Sequence, residues 1–144
     1  MSTEENKAIA RRIQEEFWDQ KNLGVADELL APTYVDHVAG SPPGVPPGPG
    51  GYKQSASAYF TAFPDVHITV EHQIAEGDMV VTRWKSHATH TGSLFGMPAT
   101  NKSTSVTGIT IDHIVNGKLV ESWTEFDNLG SMQKLGVAPR AYSR

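Results

Sequence analysis

The chain has 144 residues, 12 Lys and Arg against 16 Asp and Glu for a net charge of −4, and no cysteine. A length of this order predicts one domain over residues 1–144, which removes roughly two thirds of its unfolded surface from water. The acidic balance offers no basic stripe for a phosphate backbone, so nucleic acid is not expected as a partner, and the lack of cysteine excludes disulfides and thiolate chemistry. Residues 1–20 carry no apolar signal-like stretch, and no run of about 18 apolar residues occurs, so the expected protein is cytoplasmic and does not engage a membrane.

Ser2 and Glu5 stand at capping-box spacing, and Ile9, Ile13 and Phe17 recur every four residues. This predicts an amphipathic helix ending near Asn22. Leu23, Ala26, Leu29 and Leu30 form a second stripe around Gly24, stopped by Pro32, which predicts a short helix. Tyr34, Asp36 and His37 then fall in a first strand; adjacent residues alternate faces, and Asp36 is the one expected inside. Gly40 to Gly51 (GSPPGVPPGPGG) reads as a loop over a pocket mouth, because proline lacks a backbone donor and glycine carries an entropy cost in a helix. Tyr52, Ala56, Tyr59, Phe60 and Phe63 make the next helical stripe.

From Val66 the period changes to two. Val66, Ile68, Val70, His72 and Ile74 are expected to face the helices, and a lone histidine on such a face is more often structural than catalytic. A Glu76-Gly77 turn leads to a strand from Met79 to His90, and a two-residue turn there sets Val70 opposite Arg83 and Val66 opposite His87. That register places Arg83, Lys85 and His87 on the helix-facing side too. There Arg83 is expected to be paired with a carboxylate, or else to act as an oxyanion clamp. His87 and His90 are three apart on a strand, so they point to opposite faces and no metal site is expected. No G-x-S-x-G nucleophile elbow occurs. Asn116-Gly117 joins the next two strands, either as a two-residue turn or with a glycine bulge. Asp127 stands at an N-cap ahead of Leu129, Met132 and Leu135, with Gly136 as the stop. Helices followed by antiparallel strands predict an α+β fold.

The order of strand, tight turn, strand and short helix in Thr89 to Gly136 (THTGSLFGMPATNKSTSVTGITIDHIVNGKLVESWTEFDNLGSMQKLG) resembles the C-terminal half of the SnoaL-like polyketide (ester) cyclases. The likeness extends upstream through FPDVHITVEHQIAEGDMVV. It implies an NTF2-like cone, a curved antiparallel sheet packed against N-terminal helices around a pocket, often dimeric through the sheet. It also implies aldol-type acid/base cyclisation without metal or cofactor, with an aspartate and a histidine at positions that correspond here to Thr124 and Thr110. Neither threonine is a base at neutral pH.

Two expectations follow. In one, the protein acts on a small hydrophobic, polyketide-like carbonyl substrate with Asp36, His72 or His87 as base and Arg83 as electrostatic stabiliser. Tyr34, Tyr59, Phe63, Thr110, Thr124 and Phe126 would then line the site. In the other it is a non-catalytic small-molecule-binding or accessory protein on the same fold. A homodimer is expected through a face carrying Ile109, Ile111, Leu119 and Trp123, opposite one carrying Thr110, Ser122, Thr124 and Phe126.

Overall fold

The computed structural model describes residues 2–38, 44–94 and 96–137. Helix α1 (Thr3–Arg12) starts where its capping box predicts. The Glu5 N–H donates to Ser2 Oγ and the Ser2 N–H donates to the Glu5 carboxylate, each at 3.1 Å. It runs directly into a seven-residue π-helical segment, Ile13–Asp19. Such widened turns recur at functional positions. Here the segment buries Phe17, leaves Trp18 half-buried beside it, and aims Asp19 at the sheet. The Asp19 carboxylate accepts from the Ile68 N–H at 2.8 Å and meets His67 Nδ1 at 2.6 Å. Helix α2 (Gly24–Leu29) follows, held to the π segment by Arg12, which bridges Glu16 at 2.9 Å and Glu28 at 2.7 Å.

The remaining elements are β1 (Leu30–Val38), α3 (Gly48–Ala62), β2 (His67–Glu76), β3 (Met79–Thr89), β4 (Ser103–Val115), β5 (Lys118–Phe126) and α4 (Asn128–Lys134). The five strands form one sheet in the order β1-β5-β4-β3-β2, with β1 parallel to β5 and every other pair antiparallel. Helix α3 begins earlier than expected, because Gly48 to Gly51 form its first turn rather than loop. Pro49 is tolerated in that turn since its missing N–H would have no helical partner, and Pro47 stands at the N-cap position with no side-chain cap. Residues 40–43 of the expected loop lie outside the described residues.

Two bulges decide which side chains face inward. Glu76 pairs with Met79, so the turn is Gly77-Asp78, and Glu71 is an extra residue between the Val70–Trp84 and His72–Arg83 pairs. Trp84, not Arg83, therefore lies opposite Val70. One residue of register exchanges the faces of a strand. Thr82, Trp84, Ser86 and Ala88 point toward the helices, while Arg83, Lys85 and His87 are exposed on the other side, as is His72. At the second hairpin Asn116 and Gly117 both have positive φ, 50° and 79°, giving the two-residue turn, and Val120 is the bulge. Leu119 consequently sits in the core at 1 % exposure instead of joining Trp123 outside.

Buried side chains gather in two clusters on the helix side. One joins Ala10, Ile13, Phe17, Val25, Leu29 and Tyr34 to Val80, Ile114 and Leu119; the other joins Phe63, Val66 and Ile68 to Ala88 and Leu135. Among the described residues no helix is long and apolar enough to cross a membrane.

Candidate functional site

Alternation along three neighbouring strands brings short polar side chains to one patch of the inner face. Thr110 pairs with Thr124, Asp112 pairs with Ser122, and from β1 Asp36 lies beside Ser122 and Val38 beside Thr124. Trp84 reaches the same patch from β3. A Cβ on Gly108 would lie 2.3 Å from its ring, so the ring rests directly on the glycine backbone. The indole N–H then points along β4 to Thr110.

A directed chain of hydrogen bonds results. Trp84 Nε1 donates to Thr110 Oγ1 at 2.9 Å, and Thr124 Oγ1 donates to Asp36 Oδ1 at 3.3 Å. Thr124 has one hydroxyl proton, already given to Asp36, so its 3.3 Å contact with Thr110 is donated by Thr110. Indole is only a donor and an ionised carboxylate only an acceptor. The chain Trp84–Thr110–Thr124 thus delivers a hydrogen bond to Asp36 and favours its ionised form. Burial acts more strongly in the other direction and pushes the Asp36 carboxyl up to about 6.

A second chain runs beside the first. Ser122 Oγ donates to Asp112 Oδ1 in a short hydrogen bond, and the Tyr34 phenol lies near the same hydroxyl. With the Ser122 proton committed to Asp112, that oxygen is left only as an acceptor toward Tyr34. Asp112 is 2 % exposed, its Oδ2 has no partner among the described residues, and burial pushes its carboxyl up to about 7. Tyr52 stands edge-on to Tyr34 at 5.5 Å between ring centroids and accepts the Trp18 indole N–H at 2.7 Å. Burial holds both phenols far above their ordinary range, so they act only as neutral hydrogen-bonding groups.

Asp36, Val38, Thr124, Phe126 and Trp84 are half-buried and inward-facing, as are Trp18, Tyr52, Tyr59 and Phe60 across from them. The patch thus sets one half-buried carboxyl in front of an aromatic wall. Of the residues expected from sequence, the structure gathers Asp36, Tyr34, Thr110, Thr124 and Phe126 on this patch. Tyr59 lies near Ser86 on the same side. Phe63 is a core residue at 2 % exposure, stacked between Tyr59 and His90.

The helix-facing placement expected for His72, Arg83 and His87 is corrected. All three are exposed on the outer face; Arg83 pairs there with Glu71 at 3.0 Å, and His87 Nδ1 meets Ser105 Oγ at 2.8 Å. His90 is buried and holds the following loop by accepting the Thr100 N–H at Nδ1, 3.3 Å. Among the described residues no group of three or more His, Asp or Glu is placed to hold a metal ion. Asp112 and Trp84 were missed, and Ser122 was expected on this face but not as a site residue. The signal for Asp112 was available, since it lies two residues beyond Thr110 and therefore on the same face.

Residues 8–135 match the family model for SnoaL-like polyketide cyclases, and the chain belongs to that family. Its fold is similar to that of TsrD from Streptomyces laurentii at 23% identity, with a TM-score of 0.84 over 95% of this chain and 98% of that one. It is similar to IdmH from Streptomyces antibioticus at 29% identity, with a TM-score of 0.76 over 92% and 99% of the two chains. A protein from Acidithiobacillus ferrooxidans described as a polyketide cyclase is 30% identical, with a TM-score of 0.78 over 96% of this chain and 100% of that one. No curated protein matches.

Proposed function

We propose that this protein is a cyclase of the SnoaL type that acts on a small hydrophobic, polyketide-like carbonyl compound by acid/base chemistry, with no cofactor and with Asp36 as the base. The observation that carries the reading is the half-buried Asp36 carboxyl at the end of the Trp84–Thr110–Thr124 donor chain, in front of an aromatic wall. At neutral pH a carboxyl raised to about 6 is mostly ionised yet basic enough to accept a proton from carbon. It takes the proton from a carbon flanked by an ester and a ketone. The enolate closes a carbon–carbon bond onto a second carbonyl of the same molecule, and the resulting alkoxide recovers the proton from Asp36, leaving an isomer of the substrate.

The threonines at the positions where the family resemblance expects an aspartate and a histidine support a second reading, a binding protein without turnover. In that case the same chain orients a ligand carbonyl and no bond changes. Turnover of a panel of β-keto esters between about pH 5 and 9 separates the two. The cyclase reading expects turnover that rises with a midpoint near 6 and falls by about 10²–10⁴-fold in Asp36→Asn. Saturable binding with no turnover on any ester leaves the binding reading.

A further inference from the structure

Asp112 is a buried carboxyl that the proposed chemistry leaves without a role. It lies in line with Asp36 across the sheet, with Ser122 of β5 between them, two strand spacings or roughly 10 Å away. Its Oδ1 accepts from Ser122, and its Oδ2 is sealed from solvent without a partner. A carboxylate oxygen bearing charge in that position would be uncompensated, and a proton on Oδ2 removes the charge. The titratable groups acting on it are Asp36 and Tyr34 from β1 and Tyr52 from α3. Val80 of β3 and Ser122 of β5, its direct strand neighbours, carry no charge.

We propose that Asp112 is the proton-bearing partner of Asp36, a positioning residue that keeps this patch at a single negative charge while Asp36 gains and returns the substrate proton. The proposal rests on Asp36 being the base. Two carboxyls that repel one another are most stable with one proton between them, and environments that separate two such groups mark one as base and the other as neutral acid. The sealed member holds the proton, because it is the more costly to ionise. Protonation of Asp36 by substrate removes the neighbouring charge and makes Asp112 more acidic, so the two titrations are coupled. Ser122 is the connecting side chain, lying between the carboxyls and donating to Asp112.

The test is carboxyl carbon NMR of the full chain with labelled aspartate, from about pH 4 to 9, for wild type, Asp112→Asn and Asp36→Asn. Wild type should show two late titrations, near 6 and near 7. Asp112→Asn should remove the upper one, and Asp36→Asn should remove the lower one and move the Asp112 titration downward. On a turned-over or bound ester, wild type should decline above about pH 7 as Asp112 ionises, and Asp112→Asn should lose that decline. An Asp112 carboxyl already ionised at pH 5, or one unmoved by Asp36→Asn, overturns the proposal. Should Asp112→Asn not fold, Asp36→Asn still reads the coupling because it leaves Asp112 in place. Coupled titrations in a protein that turns over no ester would preserve the pairing and remove only the base role of Asp36.

Discussion

Asp36 and Asp112 share a chemical type and differ in what water can reach. Asp36 is half-buried and receives a hydroxyl donor; Asp112 is sealed. Both carboxyls sit above their unfolded value of 3.8, so their contribution to stability is full below about pH 4. It is lost as pH rises through about 6 for Asp36 and about 7 for Asp112. Thermal melts should therefore show Asp112→Asn gaining on wild type between pH 4 and 7, and a constant difference across that range counts against a raised Asp112. Thr124→Val removes the donor that favours ionised Asp36, so its titration and the acidic limb of any turnover should move to higher pH. Asp36 was legible because only one of Asp36 and His37 can face inward. The inward face of Asp112 was equally legible from its place two residues beyond Thr110, but its sealed, unpartnered oxygen depends on packing from other elements that the sequence does not spell out.

At the scale of elements the pattern of helices, turns and strands was written plainly, and the phase along β2 and β3 was not. The alternation of Val66 to Ile74 is regular in sequence, but nothing in it announces the extra residue Glu71, whose bulge leaves Val70 inward and His72 outward. The same applies to Val120, which lets Leu119 and Ser122 both face the core side. Where a side chain closes a local bond the sequence was sufficient. Asp127 accepts the Gly130 N–H at 2.8 Å and caps α4. Asp127→Ala should cost ~1 kcal/mol by denaturant titration and leave any pocket titration unchanged. Gly108→Ala is a sharper probe of how β4 holds the indole: its Cβ would stand 2.3 Å from Trp84, so the ring must leave its place. Overpacking of this kind costs about 1–3 kcal/mol, and the variant should also raise the Asp36 titration because Thr110 loses its donor. An unchanged tryptophan emission spectrum would speak against that displacement.

Across the whole molecule the outward face of the sheet carries an apolar row that crosses four strands, Trp123–Ile111–Val81–Ile74, with His37 stacked on Trp123 at 5.6 Å. Ile74 is 68% exposed and Trp123 38%. We propose that a second copy of this chain covers the row, since such a continuous strip is unusual on a monomer and a two-fold pairing would match it to itself. Sedimentation at micromolar concentration should show a dimer for wild type and a monomer for Trp123→Glu; a monomeric wild type rules this out.

The sheet order also has a consequence in time. Asp36 and Tyr34 belong to the first strand of the chain, yet that strand joins the sheet through the last one, and the Thr124–Asp36 hydrogen bond closes a separation of 88 residues. During synthesis β1 must wait, unpaired, until β5 has left the ribosome, and a closure this long is slow to form. The carboxyl that does the proposed chemistry is thus among the last groups to find its surroundings, and a nascent chain halted before Lys118 holds both aspartates but neither of their hydroxyl partners, Thr124 and Ser122.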